Sequence, residues 1–257
     1  MNIPGEFSPP RVDILGIGVS AVDPESAIAE MARWIKEDER HYVCVTGVHG
    51  IMESQDDPAL IDIHNRSGLT VPDGMPTVWA GHYAGFKSMQ RVYGPDLMPS
   101  FRAGGGSTGL SHLLYGGAEG VADLLANNLR QTVPGVESVG TCCPPFRPLT
   151  EQEEVEVAEL INASGADVVW VGLSTPKQER WMDRMTDRLD VNVVLGVGAA
   201  FDINAELASR APRWMQRIGM EWLYRLIKEP RRLAKRYLKN NPRFLWRILW
   251  RRPRPMA

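Results

Sequence analysis

Two aspartates in this chain stand beside glycine turns, where a general base or a ligand contact would fit. Asp73 lies in the turn Val71-Pro-Asp-Gly74 after a short apolar run, and Asp202 follows the Gly196-Val-Gly198 turn. An aspartate in a turn usually hydrogen-bonds its own backbone, whereas one held at the edge of a sheet can act as a general base. For Asp73, the local sequence by itself favours the role in the turn, and the general base is the alternative.

Paired glycines and polar helix starts supply further candidate ligand contacts. Gly116 and Gly117 end an apolar run and precede a helix start, whose free N–H groups can receive a phosphate or a ribose. A plain turn explains this pair equally well. Lys177 and Gln178 lie in an unusually polar helix start, and Arg91 opens a loop that carries both charge signs. Lys177 and Gln178 are candidate ligand contacts.

Cofactor and metal chemistry have little support in the sequence. Gly16-Ile-Gly18 follows a predicted strand but lacks the third glycine of the dinucleotide fingerprint. A tight strand-to-helix turn is therefore favoured, and a nucleotide-dependent oxidoreductase stays an alternative. The five histidines form no HxxxH pair and have no carboxylate at ligand spacing, so no metal site is predicted. Three cysteines, two of them adjacent, fit a reducing compartment rather than a disulfide framework.

Short apolar runs alternate with helical patterns between residues 12 and 206. The predicted strands are Val12–Gly16, Tyr42–Thr46, His112–Tyr115, Val136–Thr141, Val168–Gly172 and Val193–Val197. The predicted helices are Pro24–Asp38, Gly120–Thr132, Glu151–Ser164 and Pro176–Leu189. Valine-rich strands that are apolar on both faces and alternate with helices predict an α/β fold with a Rossmann-like, doubly wound, mainly parallel sheet. Ligands of such sheets bind beyond the carboxyl ends of the strands.

The net charge of −2 hides a strong asymmetry along the chain. From Arg210 to Ala257 there are 15 Lys and Arg residues and two acids, a balance of +13, while the 14 basic and 29 acidic residues before Arg210 give −15. The segment after Arg210 has a helical pattern, in which Pro212, Pro230 and Pro242 are each predicted to begin a new helix. We therefore predict a ligand-binding catalytic domain over residues 1–209 and a basic, amphipathic helical appendage over residues 210–257.

The last predicted helix has the pattern of a helix that lies at a membrane surface. Arg243, Arg247 and Arg251 recur every four residues, and Trp246 and Trp250 flank the Leu and Phe side chains of the other side. Anionic membrane lipid is therefore the predicted partner. A nucleic-acid-binding module would also use the positive charge, but it does not need the apolar side, and the acidic remainder of the chain repels a polyanion. We predict no nucleic-acid partner. No apolar stretch approaches the roughly 18–20 residues that span a bilayer.

In their order along the chain, the motifs resemble those of the WecG/TagA/CpsF family of bacterial glycosyltransferases, from about Val12 to Leu238. The matching motifs of the body are Pro72-Asp-Gly74, Arg91-Val-Tyr-Gly-Pro-Asp-Leu-Met98, Gly116-Gly117, Val171-Gly-Leu-Ser-Thr-Pro-Lys-Gln-Glu179 and Gly196-Val-Gly-Ala-Ala-Phe-Asp202. The most specific motifs lie in the appendage and are Arg210-Ala-Pro-Arg-Trp-Met215, Glu221-Trp-Leu-Tyr-Arg225 and Glu229-Pro-Arg-Arg232.

The resemblance implies an inverting, metal-independent glycosyltransferase that needs no cofactor besides its UDP-sugar donor. It would move a hexose of the N-acetylmannosamine type or a related one to a polyprenyl-diphosphate-linked sugar, for cell-surface polysaccharide or cell-wall synthesis, as a peripheral protein at the cytoplasmic, inner face of the plasma membrane. The family's pattern assigns the catalytic base to Asp73, a diphosphate contact to Arg225, a position near the uracil to Asp202 and a further substrate contact to Gln178. The remaining expected substrate contacts are Thr46, Arg91, Gly116 and Gly117.

Two positions depart from the family's pattern. The family usually has Thr-(Pro or Val)-Asn after its second strand, whereas this chain has Thr46-Gly-Val48-His49, so the amide expected at position 48 is absent. Glu206 stands where the family commonly has glycine. The contacts with the donor sugar are therefore expected to differ from those of the family. A homo-oligomer is compatible with the sequence.

Overall fold

The computed structural model describes residues 9–104, 109–132 and 139–256. The strands are β1 Arg11–Ile14, β2 Ile17–Ser20, β3 His41–Thr46, β4 Leu69–Pro72, β5 His112–Gly116, β6 Val139–Cys142, β7 Val168–Gly172, β8 Val193–Gly196 and β9 Arg254–Pro255. The α-helices are α1 Pro24–Lys36, α2 Val48–Asp56, α3 Pro58–Arg66, α4 Met75–Tyr83, α5 Gly94–Gly104, α6 Val121–Thr132, α7 Glu151–Ala163, α8 Lys177–Met185, α9 Ala200–Asn204, α10 Arg213–Arg217, α11 Glu221–Lys228 and α12 Pro230–Trp250.

The central sheet has six parallel strands in the order β4-β3-β8-β7-β5-β6. The predicted doubly wound parallel sheet is confirmed, and its central strands are rich in valine and buried on both faces, as is typical of such a sheet. The registers pair Thr46 with Pro72 and Cys44 with Gly196, so β3, β4 and β8 end at the same edge. The residues that follow these strands therefore meet in space.

Two strands of this sheet differ from the predicted set. β4 was not predicted, because four residues are too short a run to show a period. The predicted strand Val136–Thr141 begins outside the described residues, and its described part forms β6.

Helices cover both faces of the sheet, and the alternation of side chains along the strands separates two cores. Trp170 and Leu195 point to the face covered by α1, α5 and α6. Val169 and Val194 point to the face covered by α3, α7 and α8. The sheet is thus held between two apolar layers, and its carboxyl edge is left for a ligand.

The N-terminal strand lies outside the parallel sheet, which corrects the role predicted for Val12–Gly16. β1 and β2 form an antiparallel hairpin in which Ile14 pairs with Ile17, and β9 adds a third strand to it. Leu15 and Gly16 form the loop with φ values of 56° and 95°, the left-handed values that two-residue hairpin loops require. Gly16-Ile-Gly18 is therefore part of a hairpin and not a strand-to-helix turn. The oxidoreductase alternative loses the motif on which it depended.

Three helices follow Arg210, and their boundaries differ from prediction at one proline. Pro212 and Pro230 lie at the starts of α10 and α12, as predicted, whereas Pro242 lies inside α12. Proline removes a helical N–H and normally breaks or kinks a helix. Here Leu233 and Phe244, on either side of Pro242, are both buried, and α12 packs along α2. We attribute the continuity of α12 to this packing on both sides of the proline.

The end of the chain returns to its beginning. β9 pairs with β1, and the backbone N–H of Met256 donates to the carbonyl of Arg11 at 2.8 Å. The chain after α12 is thereby attached to the N-terminal hairpin. The division of the chain into two domains at Arg210 stays a prediction.

Candidate active site

A cavity of about 900 Å³ lies beyond the carboxyl ends of β3, β4, β7 and β8. The turns after these strands form one wall, and residues of α10, α11 and α12 form the opposite wall. The volume lies at the upper end of the roughly 300–1,000 Å³ that small-molecule sites occupy. The position agrees with the rule that ligands of doubly wound sheets bind beyond the strand ends.

Asp73 lines this cavity directly after β4. Its backbone N–H donates to the Thr46 carbonyl at 3.0 Å, which fixes the turn against β3. Burial raises the pKa of the carboxyl group and Glu221 raises it further, while the positive charges of Arg91 and Arg225 lower it. The balance leaves the pKa above its ordinary value, which strengthens the carboxylate as a base.

Arg91 joins the Asp73 turn to helix α11. Its Nε donates to the Asp73 carbonyl, and its Nη2 lies 2.6 Å from a carboxylate oxygen of Glu221. The Tyr93 hydroxyl donates to the same carboxylate at 2.7 Å, and the guanidinium lies 3.8 Å from the centre of the Tyr93 ring. Because these contacts occupy Arg91, we expect it to hold the two cavity walls together. Direct contact between Arg91 and a substrate stays a prediction.

Gln178 lines the cavity from the first turn of α8 and is only 2% exposed. Its Nε2 lies 3.2 Å from a carboxylate oxygen of Glu179, and its Oε1 has no hydrogen-bond partner among the described residues. A Cβ on Gly196 would lie 3.0 Å from Gln178 Nε2, and one on Gly198 would lie 3.3 Å from Oε1. Glycine at the end of β8 therefore makes room for the amide, as expected for a ligand contact.

Three arginines of α11 and α12 also line the cavity: Arg225, Arg232 and Arg236. Burial lowers the pKa of Arg236, and the charges of Arg225 and Arg232 act in the same direction. The guanidinium group nevertheless stays charged at neutral pH. Concentrated positive charge at a cavity wall suits a diphosphate, which arginine binds through paired N–H donors.

Thr46 and the paired glycines lie behind the cavity wall. Thr46 is buried, and its hydroxyl lies 3.0 Å from Nε2 of His64. Gly116 and Gly117 have left-handed φ values, and a Cβ on Gly116 would lie 3.0 Å from the backbone of Gly172. The glycines thus allow close approach of β5 and β7. None of the three lines the cavity in the described part of the chain, and their contact with substrate stays a prediction.

Asp202 lies on α9 and lines a second cavity of about 380 Å³. Arg225 lines both cavities, so Asp202 is close to the main one. The expected position of Asp202 near a nucleobase stays a prediction. The nearby Glu206 has a φ of 62°, the conformation that glycine favours, at the position where glycine is common in the family.

The sequence interpretation missed a partly buried pair formed by His49 and Asn240. Asn240 Nδ2 lies 3.0 Å from Nδ1 of His49, and both residues line the cavity. Because 191 residues separate the pair along the chain, no local pattern could have indicated it. Arg236, one turn before Asn240 on α12, was missed because the basic segment contains many arginines with equivalent sequence surroundings.

The three arginines predicted to contact lipid are paired with the body. Arg243, Arg247 and Arg251 lie 3.0, 2.8 and 3.3 Å from their partners. The partners are Asp56, Gln55 and Asp13, respectively. Arg243 and Arg247 thereby attach α12 to α2, and Arg251 attaches the end of α12 to β1.

The exposed side of the last two turns of α12 is apolar rather than basic. Trp246 and Trp250 are 63% and 79% exposed, and Leu245 and Leu249 are exposed beside them. No helix in the described ranges is long and apolar enough to cross a membrane. Contact of Trp246, Trp250 and the three arginines with lipid stays a prediction.

No group of three or more His, Cys, Asp or Glu side chains in the described part of the chain could hold a metal ion. The absence of a cofactor was predicted from the sequence and stays a prediction. The lining of the cavity in the described residues includes two carboxylates, four amides, one imidazole, five guanidinium groups and several hydroxyl groups. Of the two carboxylates, Glu221 is paired with Arg91 and Tyr93, so Asp73 is the base candidate.

Comparison with known proteins identifies the family to which the chain belongs. The family model described as the glycosyl transferase WecG/TagA/CpsF family matches residues 12–257. The chain is also similar to the N-acetylglucosaminyldiphosphoundecaprenol N-acetyl-beta-D-mannosaminyltransferase of Bacillus spizizenii, with 26% identity over 197 residues, 77% of this chain and 74% of that protein. The family match spans β1 to the C-terminus and includes both walls of the cavity. The chain is therefore a glycosyltransferase that belongs to the WecG/TagA/CpsF family.

Proposed function

We propose that this glycosyltransferase moves a hexose from a UDP-sugar to a sugar linked to polyprenyl diphosphate, with inversion at the anomeric carbon. The observation that carries the proposal is the Asp73 carboxylate, which has a raised pKa and lies in a cavity whose opposite wall carries Arg225, Arg232 and Arg236. One wall thus holds a base, and the other holds positive charge for a leaving diphosphate.

Asp73 acts as the general base in this proposal. Its carboxylate removes the proton from the acceptor hydroxyl, whose oxygen forms a bond to the anomeric carbon. The bond from that carbon to the β-phosphate oxygen breaks on the opposite face, and UDP leaves with the electron pair. A single displacement of this kind inverts the anomeric configuration and needs one base.

The arginines stabilise the leaving group. Charge that develops on the UDP β-phosphate can be met by the guanidinium of Arg225, which lies close enough to Asp73 to lower its pKa. Arg232 and Arg236 line the same cavity. Because guanidinium groups supply this positive charge, we propose a transfer that needs no metal ion.

The acceptor is proposed from the relative of Bacillus spizizenii, whose name specifies an undecaprenol-linked N-acetylglucosaminyl diphosphate and the transfer of N-acetylmannosamine. A lipid-linked acceptor brings the enzyme to the membrane surface. The exposed Trp246 and Trp250 support binding of the C-terminal helix to the inner face of the plasma membrane.

The experiment that tests the proposed function is a donor panel. Purified protein is given UDP-N-acetylmannosamine, UDP-N-acetylglucosamine or UDP-glucose, with a short-chain polyprenyl-diphosphate-N-acetylglucosamine acceptor. Release of UDP is measured, and the anomeric configuration of the product is determined by NMR. Acceptor-dependent UDP release with an inverted product supports the proposal. No release from any donor, or a retained configuration, contradicts it.

A further inference from the structure

Three buried polar atoms on the cavity-lining residues have no partner in the described part of the chain. They are Gln178 Oε1, Arg236 Nε and Asn240 Oδ1. Buried polar atoms in proteins are nearly always hydrogen-bonded. Unpaired atoms that belong to cavity-lining side chains therefore indicate groups that a ligand would satisfy.

The three residues lie close together. Arg236 and Asn240 are four residues apart on α12, so they share one side of the helix. His49 contacts Asn240 and lies near enough to the Thr175 backbone for that backbone to raise its pKa, and Thr175 directly precedes the first turn of α8, which carries Gln178. The start of α8 and one side of α12 are thus joined through His49.

The structure shows which atom of the Asn240 amide faces His49. Nδ2 of Asn240 lies 3.0 Å from Nδ1 of His49, and a carboxylate oxygen of Glu53 lies 3.5 Å from the same ring nitrogen. Burial lowers the pKa of His49 to about 3, so the ring is neutral near pH 7 and one of its two nitrogens is an acceptor. The amide nitrogen of Asn240 is thus directed at His49. Its Oδ1 is left for a ligand.

The unpaired atoms specify the chemistry of the ligand group. Oδ1 of Asn240 and Oε1 of Gln178 accept hydrogen bonds, whereas Nε of Arg236 donates one. A diphosphate offers only acceptors at neutral pH and can satisfy Arg236 alone. Sugar hydroxyls and an acetamido N–H are donors, and they satisfy the two amide oxygens. A hexose attached to a diphosphate matches all three atoms.

We propose that Asn240, positioned by His49, accepts a hydrogen bond from a hydroxyl or acetamido N–H of the donor's hexose and so contributes to the choice of sugar. This inference rests on the proposed function. Val48, at the start of α2, has no polar side-chain atom and packs against the apolar cluster of the N-terminal hairpin. The amide that contacts the sugar comes instead from α12, so sugar recognition requires the C-terminal helix to be in place.

The test separates binding of the sugar from binding of UDP. Calorimetry gives the Kd of UDP and the Kd of the UDP-sugar that the wild type uses. The ratio is the Kd of UDP divided by the Kd of the UDP-sugar, and it measures how much the sugar adds to binding. For Asn240→Ala we expect UDP affinity within about twofold of the wild type and a UDP-sugar ratio reduced by about 3- to 10-fold, the size of one neutral hydrogen bond. Asn240→Asp keeps an acceptor oxygen and should retain more of the ratio.

Two further variants complete the comparison. Asn162→Ala removes an amide that makes two hydrogen bonds on α7, outside the cavity, and should leave the ratio unchanged. His49→Ala should lower the ratio in the same direction as Asn240→Ala, because the amide loses its positioning contact. If Asn240→Ala does not fold, Asn240→Leu replaces it, since leucine has a similar volume and no polar atom.

The outcomes distinguish this inference from the proposed function. A wild type that transfers sugar, together with an Asn240→Ala protein that keeps the full ratio, overturns the inference and leaves the proposed function intact. A wild type that binds no UDP-sugar better than UDP and transfers none overturns the proposed function and this inference with it. A ratio lowered in Asn240→Ala and retained in Asn162→Ala supports both.

Discussion

The ion pair between Arg91 and Glu221 connects the stability of the C-terminal helices to the basicity of Asp73. Its two side chains are 15% and 13% exposed, and the charged atoms lie 2.6 Å apart. Glu221→Gln removes the negative charge but keeps an amide oxygen that can still accept from Arg91, and its amide N–H can donate to the Tyr93 hydroxyl, which contacts the other carboxylate oxygen in the wild type. The substitution should therefore change two quantities, the stability of the fold and the pH dependence of activity.

The expected loss of stability follows from burial. Removing one partner of a buried ion pair costs about 3–5 kcal/mol when the other charge is left bare. Because glutamine preserves hydrogen bonds to the guanidinium and the tyrosine, we expect a smaller loss, about 1–3 kcal/mol. For a chain of 257 residues, this corresponds to a Tm lowered by roughly 2–12 °C.

The pH dependence should shift in a defined direction. Asp73 works as a base only when deprotonated, so activity is lost as the pH falls through its pKa. Glu221 raises that pKa and Arg91 lowers it. Without the Glu221 charge, the pKa of Asp73 falls, and the acidic limb of the kcat/KM profile should move to lower pH.

The measurements are thermal unfolding and the pH profile of UDP release, each for wild type and Glu221→Gln. Asp190→Asn is the matched control, because it breaks an exposed pair with Arg40, whose side chains are 47% and 67% exposed. Exposed ion pairs of this kind contribute about 1 kcal/mol or less to the free energy of unfolding, so Asp190→Asn should change the Tm little. An unchanged Tm together with an unmoved acidic limb in Glu221→Gln would refute the reasoning about this pair.

Two further predictions concern the C-terminal helices. Arg225→Ala should lower the rate of transfer by roughly 10²–10³-fold, the usual effect of removing a donor that stabilises developing charge. Its circular dichroism spectrum should match that of the wild type. An unchanged rate of UDP release would exclude a role of Arg225 in stabilising the leaving group. The double variant Trp246→Ser and Trp250→Ser should lose flotation with anionic liposomes, because these side chains are 63% and 79% exposed, while Leu160→Ser on α7 should not. Retardation of DNA by the wild type, without flotation, would instead favour a nucleic-acid-binding role.

The sheet could be predicted because burial on both faces leaves a strong mark on sequence. Strands such as β7, Val-Val-Trp-Val-Gly, and β8, Val-Val-Leu-Gly, contain no polar side chain that can form a hydrogen bond other than the Trp170 indole. The N-terminal hairpin was predicted as a member of that sheet because an apolar run next to Gly16 fits a strand-to-helix turn as well as a hairpin loop. The hairpin loop differs from a strand-to-helix turn in the left-handed φ of Leu15. A leucine in the sequence does not indicate that its φ will be left-handed.

The candidate site was predictable where a residue lies next to a strand end. Asp73 and Gln178 follow β4 and β7 in the chain, so topology alone brings them to one edge. Contacts across the cavity were not predictable, because His49 and Asn240 meet only when α12 packs along α2. The same packing turns Arg243 and Arg247 toward the body, although their spacing had suggested a lipid-facing side.

The central claim is that Asp73 is the base of sugar transfer in the cavity beyond the strand ends. Its most direct test is acceptor-dependent UDP release by Asp73→Asn, with the Kd of UDP measured on the same protein and Asp62→Asn, an exposed position on α3, as the control. We predict turnover lowered by about 10²–10⁴-fold, with UDP binding and the control both close to wild type. Turnover of Asp73→Asn equal to that of the wild type would contradict the claim.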